Sequence, residues 1–177
     1  MTQERLVMRA NAIVTIALGL LIPGCAPRPA AAPEAKVVRH PLPDSDFPIL
    51  LGATVPGSAT LVFMSGVVSG PADAGAEPGS RAYWGDTEAQ TVDALMKLDQ
   101  RLMALGYTMS QVVKMQAFLV GDPELGGRMD FDGFMRGYRR FFGTEAQPNL
   151  PARSAFQIAG LVRPGMLVEI EVTLAVK

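Results

Sequence analysis

The clearest periodic pattern in the chain covers residues 86–106 and predicts an amphipathic helix. Asp86 precedes the run as a helix N-cap, and Gly106 follows it as a C-terminal stop. The apolar positions recur every three or four residues: Val92, Leu95, Leu98, Leu102 and Leu105. We therefore expect one face of this helix to be buried.

A second helix is predicted over residues 130–143, where aromatic side chains share one helical face. These side chains are Phe131, Phe134, Tyr138, Phe141 and Phe142. Rings at this spacing favour core packing over a cofactor-binding box.

Five further segments are rich in β-branched and apolar residues and are bounded by glycine or proline, which predicts strands. They are residues 37–42, 60–70, 112–120, 152–161 and 166–177. The glycine-rich, aperiodic stretch 70–85 predicts a loop. The resulting order β, β, α, β, α, β, β favours an α/β (α+β) fold in which both helices cover one face of a single sheet.

The first 24 residues have the pattern of a signal peptide. Arg5 and Arg9 precede an uncharged run over residues 10–22, which is shorter than the roughly 20 residues needed to span a bilayer. The run ends in Ile22-Pro-Gly-Cys25, which resembles the bacterial lipoprotein box, where the cysteine is lipidated and becomes the new N-terminus. The alternative is an ordinary secretory signal cleaved nearby, with an idle thiol at Cys25. Either predicts export; the first predicts a periplasmic protein held at the membrane by its N-terminal lipid alone.

Residues 25–35 are rich in proline and alanine and predict an extended tether between the lipid and a domain spanning residues 36–177. The whole chain carries one cysteine and one histidine, too few for a disulfide framework, a Cys/His zinc site or a histidine-dependent triad. We expect no metal and no cofactor. The formal net charge of −1 gives no basic surface, which argues against nucleic acid as a partner.

Side-chain alternation in the last two strands predicts which residues share a sheet face. In the last strand the residues predicted to face the helices are Val168, Ile170, Val172, Leu174 and Val176, which leaves Glu169 and Glu171 opposite. In the strand before it, Phe156 and Ile158 are predicted on the helix side, and the residues predicted on the other side are Arg153, Ala155, Gln157 and Ala159. Arg153 and Glu169 would then both lie on the face without helices, which is either solvated or buried against other copies of the chain.

At these residues the sequence resembles the RidA family of reactive intermediate deaminases, also called the YjgF type. The segment LPARSAFQIAGL at 150–161, followed by LVEIEV at 167–172, resembles the family's C-terminal signature. Further similarity covers residues 36–177, including Met64-Ser-Gly66, Asp86-Thr-Glu-Ala-Gln90 and Tyr138-Arg-Arg-Phe-Phe142.

The resemblance implies a chorismate-mutase-like fold, a homotrimer whose sheets line a central barrel, and active sites in the clefts between subunits. It also implies that Arg153 binds the carboxylate of a 2-imino or 2-enamino acid while Glu169 helps to hold the attacking water. Hydrolysis of an imine needs neither a metal nor a protein nucleophile, because the protonated C=N carbon is already electrophilic. The alternative is an exported trimer that binds small carboxylates at Arg153 without turnover.

Three further positions enter the predicted substrate site. Ala155 stands where many deaminating members have a cysteine, and its implied role is a main-chain contact. Ile49 and Met135 stand where well-known members have a tyrosine and an asparagine, which indicates a different or bulkier substrate. A tight hairpin between the last two strands would separate Arg153 from Glu169 by roughly 17 Å along the ladder. The pair would then need a looser connection or a second subunit.

Overall fold

The computed structural model describes residues 36–177. The predicted signal peptide, the lipidation site at Cys25 and the tether lie outside the described residues and stay predictions. Among the described residues, no helix is both long and apolar enough to cross a membrane.

Within the described residues the chain forms six strands and three α-helices. In chain order these are β1 (Val38–Pro41), β2 (Leu50–Thr54), β3 (Thr60–Val68), α1 (Arg81–Trp84), α2 (Thr87–Ala104), β4 (Val112–Val120), α3 (Phe131–Tyr138), β5 (Ala152–Ile158) and β6 (Val168–Val176). Strand β2 and the single-turn helix α1 were not predicted, because a five-residue strand with a central glycine and one helical turn carry too little periodic signal. Helix α3 ends at Tyr138, four residues before Phe142, yet Phe142 is buried all the same.

The six strands form one mixed sheet in the order β1-β2-β5-β4-β6-β3. Strand β5 runs parallel to both β2 and β4, whereas β4 and β3 pair with β6 in antiparallel fashion. The last two strands are therefore not neighbours, since β4 lies between them. The possibility that the last two strands form a tight hairpin, considered from sequence, is therefore wrong. The connection from β5 to β6 instead crosses over β4.

Helices α2 and α3 pack on one face of this sheet and enclose the core, which confirms the predicted α+β fold. Leu95, Leu98 and Leu102 of α2 are fully buried, and the Asp86 carboxylate accepts a hydrogen bond from the Ala89 N–H as the predicted N-cap. Leu105 lies beyond the helix and is 56% exposed, so the predicted apolar face ends one turn early.

The predicted loop 70–85 is docked against the edge of the sheet where β6 begins. The Trp84 indole N–H donates to the Pro164 carbonyl at 2.8 Å. The fully buried Gln90 side chain donates to the Gly165 carbonyl and accepts from the Leu167 N–H, at 3.0 and 2.7 Å. These hydrogen bonds fix the entry of the chain into β6, the strand that carries Glu169.

Candidate functional site

The pairing of β4 with β5 places Arg153 on the helix side of the sheet. In this parallel pair Met115 lies opposite Arg153 and Ala117 opposite Ala155. Met115 and Ala117 are completely buried under the helices, and paired residues of neighbouring strands point to the same face. The prediction that Arg153, Ala155 and Gln157 lie on the open face is therefore wrong.

The error came from assigning the larger apolar side chains of β5 to the core. Phe156 is instead 47% exposed and stacks on Phe118 on the open face, with ring centroids 6.3 Å apart. The small Ala155 packs against the core, where the rings of α3 already fill the space between helix and sheet.

The Arg153 guanidinium lies among four aromatic rings, which we call the aromatic cage. Its central carbon lies 4.4 Å from the ring centroid of Tyr138, 5.0 Å from Phe134, 5.5 Å from Phe47 and 5.8 Å from Phe131. At these separations the negative faces of the rings attract the cation. The cage therefore holds the guanidinium in position without a carboxylate.

Helix α3 supplies three of the four rings because of its spacing and its cap. Phe131, Phe134 and Tyr138 stand three and four residues apart and so share a helical face. Asp130 caps the helix by accepting a hydrogen bond from the Gly133 N–H at 2.8 Å. The predicted core packing is confirmed for Phe134 and Tyr138, which have no exposed surface, but these rings also line the cage.

The fourth ring, Phe47, comes from the segment before β2. The Tyr138 hydroxyl crosses to this segment and donates to the Pro48 carbonyl at 2.9 Å. Burial raises the pKa of Tyr138 well above its usual value, so the hydroxyl stays protonated as a donor. This hydrogen bond holds Phe47 beside Arg153, where its ring stacks on Phe131 at 6.3 Å.

The charge of Arg153 has no anionic partner within residues 36–177. No carboxylate of these residues lies within 4.0 Å of its guanidinium, and its buried Nη1 has no hydrogen-bond partner. Burial lowers the pKa of Arg153, against an opposing effect of Tyr138. An unpaired buried donor costs about 1–3 kcal/mol, more when charged, so the cage favours the binding of an anion.

Glu169 lies on the other face of the sheet. Glu169 is on β6, and its paired residues on the two flanking strands are Phe118 on β4 and Val68 on β3. The alternating burial of β6 confirms the predicted parity for this strand, with Val168 and Ile170 buried and Glu169 facing away from the helices.

The Glu169 carboxylate occupies the space next to Gly66. A Cβ added at Gly66 would overlap the carboxylate oxygen Oε1. The register of β3 shifts between Met64 and Val67, where a bulge brings Gly66 to this position. Only a residue without a side chain leaves room for the carboxylate here.

The sheet separates the two predicted catalytic residues within one chain. Arg153 is level with Met115 on β4 and Glu169 is level with Phe118, three residues further along. Together with two strand spacings this offset gives a Cα separation of roughly 14 Å, with the side chains on opposite faces. A single chain does not bring Arg153 and Glu169 into one cleft.

The remaining predicted site residues lie on the helix side or at its margin. Met135 on α3 is buried in the core at 7% exposure, and Ala155 is half-buried next to Arg153 on β5. Ile49 is half-buried and follows Pro48, the residue that accepts the Tyr138 hydrogen bond. Residues 36–177 contain no cluster of His, Cys, Asp or Glu that could hold a metal ion.

Sequence reasoning gave no role to Phe47 or to Gly66. Phe47 lies in the aperiodic segment before β2, where no spacing indicates that its ring meets α3. Gly66 was noted only as part of a resemblance, although an isolated glycine inside a strand pattern is a signal for a bulge or a close approach.

The open face of the sheet, which carries Glu169 and Glu171, also carries exposed apolar groups. Phe63 is 76% exposed and Leu61 is 45% exposed. A cavity of about 190 Å³ on the same strands is lined by Phe63, Met64, Lys114, Gln116, Glu171, Val172 and Thr173. Apolar side chains this exposed on a sheet face are typical of a surface that another protein surface covers.

Taken together, the mixed sheet with two helices on one face and the segments LPARSAFQIAGL (150–161) and LVEIEV (167–172), which contain β5 and the start of β6, define the class of protein. The endoribonuclease L-PSP family model matches residues 56–176, and the chain belongs to this family, which is the YjgF/RidA family. Among curated proteins, no sequence matches the chain significantly.

Solved structures of the same class share the fold. A Rid-family protein of unknown function, YyfB from Yersinia pestis, is 22% identical, with a TM-score of 0.56 over 73% of this chain and 88% of that one. A protein of unknown function from Pseudomonas aeruginosa is 27% identical, with a TM-score of 0.52 over 85% and 90%. E. coli TdcF, solved with bound serine, is 25% identical, with a TM-score of 0.51 over 71% and 92%.

Proposed function

We propose that the protein hydrolyses reactive 2-imino or 2-enamino acids to the carbonyl compound and ammonia, with Arg153 holding the substrate carboxylate. The observation that carries this proposal is the Arg153 guanidinium, which is caged by four rings and has no anionic partner among the described residues. Membership of the YjgF/RidA family supports an enzyme.

A carboxylate is the small anion that best matches the guanidinium of Arg153. Two parallel N–H donors match the two oxygens of a carboxylate and fix its plane as well as its position. The rings of Phe134 and Tyr138 lie 5.0 and 4.4 Å from the guanidinium carbon and restrict its rotation. The substrate would therefore be oriented by its carboxylate, with the C=N carbon at a fixed distance from Arg153.

Glu169 of a neighbouring subunit is proposed to complete the site. One chain keeps its Arg153 and Glu169 on opposite faces of the sheet, whereas a homotrimer can bring the aromatic cage of one subunit close to the open face of the next. The exposed Phe63 and Leu61 on that face support such an assembly.

The proposed reaction uses water as the only nucleophile. A water held by Glu169 attacks the carbon of the protonated imine and gives its proton to the carboxylate. The resulting carbinolamine takes that proton on nitrogen. As the C–N bond breaks, the Glu169 carboxylate accepts the hydroxyl proton, so that the carbonyl compound forms, and it then passes this proton to the departing ammonia, which leaves as ammonium. No bond to the protein forms at any step.

Binding of small carboxylates without turnover remains the alternative, and the Arg153 cage supports it equally. An endoribonuclease activity, which the family description names, finds less support in this chain: its net charge is −1, and the caged arginine is one cation rather than a basic surface. The proposed export and lipidation at Cys25 would place either activity in the periplasm.

The test is turnover of iminopropionate and iminobutyrate, generated in the assay, by the full-length protein and its variants. Arg153→Ala should lower kcat/KM by on the order of thirtyfold or more, because a charge-assisted contact of at least about 2 kcal/mol is lost. Arg101→Ala removes an exposed arginine of α2 and should leave the rate unchanged.

Equal rates for Arg153→Ala and the parent would refute the carboxylate clamp. If neither protein shows turnover but the parent alone binds small carboxylates, the protein is a binding module.

A further inference from the structure

We infer that the ligand held at Arg153 is a carboxylate that bears an apolar group about the size of a ring, packed against Phe47 and Phe131. This inference rests on the proposed function, since it takes Arg153 to be the carboxylate clamp, and it specifies the class of substrate that the clamp receives.

Two rings of the aromatic cage, those of Phe47 and Phe131, are accessible to a ligand. Phe134 and Tyr138 are completely buried, so a ligand cannot lie on their outer surfaces. Phe47 and Phe131 are only partly buried, and their rings stack with an interplanar angle of 19° at 6.3 Å. A carboxylate on the guanidinium would therefore carry its substituent past phenyl surface.

A groove beyond Phe131 gives the substituent room. It has a volume of about 570 Å³ and is lined by Leu125, Arg128, Met129, Asp130, Phe131, Asp132, Arg136 and Gln157. Phe131 is the wall that this groove shares with the aromatic cage.

Most polar groups of this groove already have partners within the chain. The Gln157 amide accepts from the Met129 N–H at 3.0 Å and donates to the Gly127 carbonyl at 2.8 Å. Asp130 caps α3, and Arg136 pairs with Glu88 at 2.6 Å. The apolar surface of the groove is confined to Leu125, Met129 and Phe131, and a ring-sized substituent would pack there beside the charged side chains of Arg128 and Asp132.

The second support is Ile49, a half-buried apolar residue that follows the Pro48 anchored by Tyr138. Its side chain cannot donate or accept a hydrogen bond. Met135 is 7% exposed and packs in the core, so it does not contact a ligand. Next to Phe47, discrimination among carboxylates would thus come from apolar contact.

The experiment is calorimetric titration of the full-length protein with three stable carboxylates: acetate, cyclohexanecarboxylate and benzoate. Burial of a ring against Phe47 and Phe131 should make both cyclic acids bind at least about tenfold more tightly than acetate. In Phe131→Leu, which keeps an apolar side chain for packing, and in Phe47→Ala, this ratio should fall below about threefold. Phe141→Ala removes a half-buried ring of the same region outside the cage and should preserve the ratio.

The outcomes separate this inference from the proposed function. Equal binding of acetate and the cyclic acids, abolished by Arg153→Ala, would overturn the inference and leave the carboxylate clamp intact. A preference for cyclic acids that persists in both Phe131→Leu and Phe47→Ala would also overturn it. Absence of binding for all three carboxylates would overturn the clamp and the inference together.

Discussion

The two faces of the sheet meet different environments, although both carry a charged residue of the candidate site. On the helix side, Arg153 is enclosed by rings of its own chain, and the cage is complete in a single subunit. On the open side, Glu169 shares its face of the sheet with exposed apolar residues such as Phe63. The chain thus builds one half of a site by itself and leaves the other half to be covered, which is why the two halves should respond differently to substitution.

The largest difference is expected from removing one phenylalanine on each face. Phe134→Ala deletes a fully buried ring that also lies 5.0 Å from the Arg153 guanidinium. It should lower the free energy of unfolding by about 3–5 kcal/mol in chemical denaturation. The matched variant Phe63→Ala removes a ring that is 76% exposed and should cost the chain's own folding less than about 0.5 kcal/mol.

Phe63→Ala should instead lower the unfolding midpoint at a given protein concentration and make the midpoint less dependent on that concentration, because it weakens association on the open face. Similar losses of stability for the two variants at all concentrations would contradict the contrast between the faces.

A smaller effect, confined to the open face, is expected from Gly66→Ala. The added methyl group overlaps the Glu169 carboxylate and must displace it, and since this carboxylate is the flexible end of a half-buried side chain, stability should change by only about 0.5 kcal/mol. Since Glu169 is proposed to hold the attacking water, kcat should fall by about tenfold or more while carboxylate binding at Arg153 is kept.

Gly52→Ala is the control for this substitution, because Gly52 also lies in a strand but has open space where a Cβ would be added. If Gly66→Ala and Gly52→Ala had equal effects on kcat, the position of the Glu169 carboxylate next to Gly66 would not be needed for catalysis.

Local periodicity was enough to predict the framework of the fold. The spacing of Leu95, Leu98 and Leu102 gave α2 and its buried face, and the β-branched run 112–120 gave β4 with the bounds the structure has. The parity of β6 was also confirmed, because a strand flanked by two others under the helices alternates between large apolar and polar residues.

The same reasoning failed for β5, where the residues facing the helices are Arg153, Ala155 and Gln157. Hydrophobicity alone placed Phe156 inward, but the space under α3 is filled by the rings of Phe134 and Tyr138. Those rings stabilise a cation, so an arginine could take an inward position that a hydrophobicity pattern assigns to an apolar residue. The placement of Arg153 depends on α3 and on Phe47, which sequence spacing does not bring together.

The most direct test of the central claim is to mix two inactive variants of the full-length chain and measure imine hydrolysis. Arg153→Ala and Glu169→Gln are unfolded together at equal amounts, refolded and assayed against each variant refolded alone. If each site combines Arg153 of one subunit with Glu169 of another, random assembly makes about a quarter of the sites intact, and the mixture should recover about that fraction of the parent's activity. If the mixture stays as inactive as the separate variants although mixed oligomers form, the site is not shared between subunits and the account is wrong.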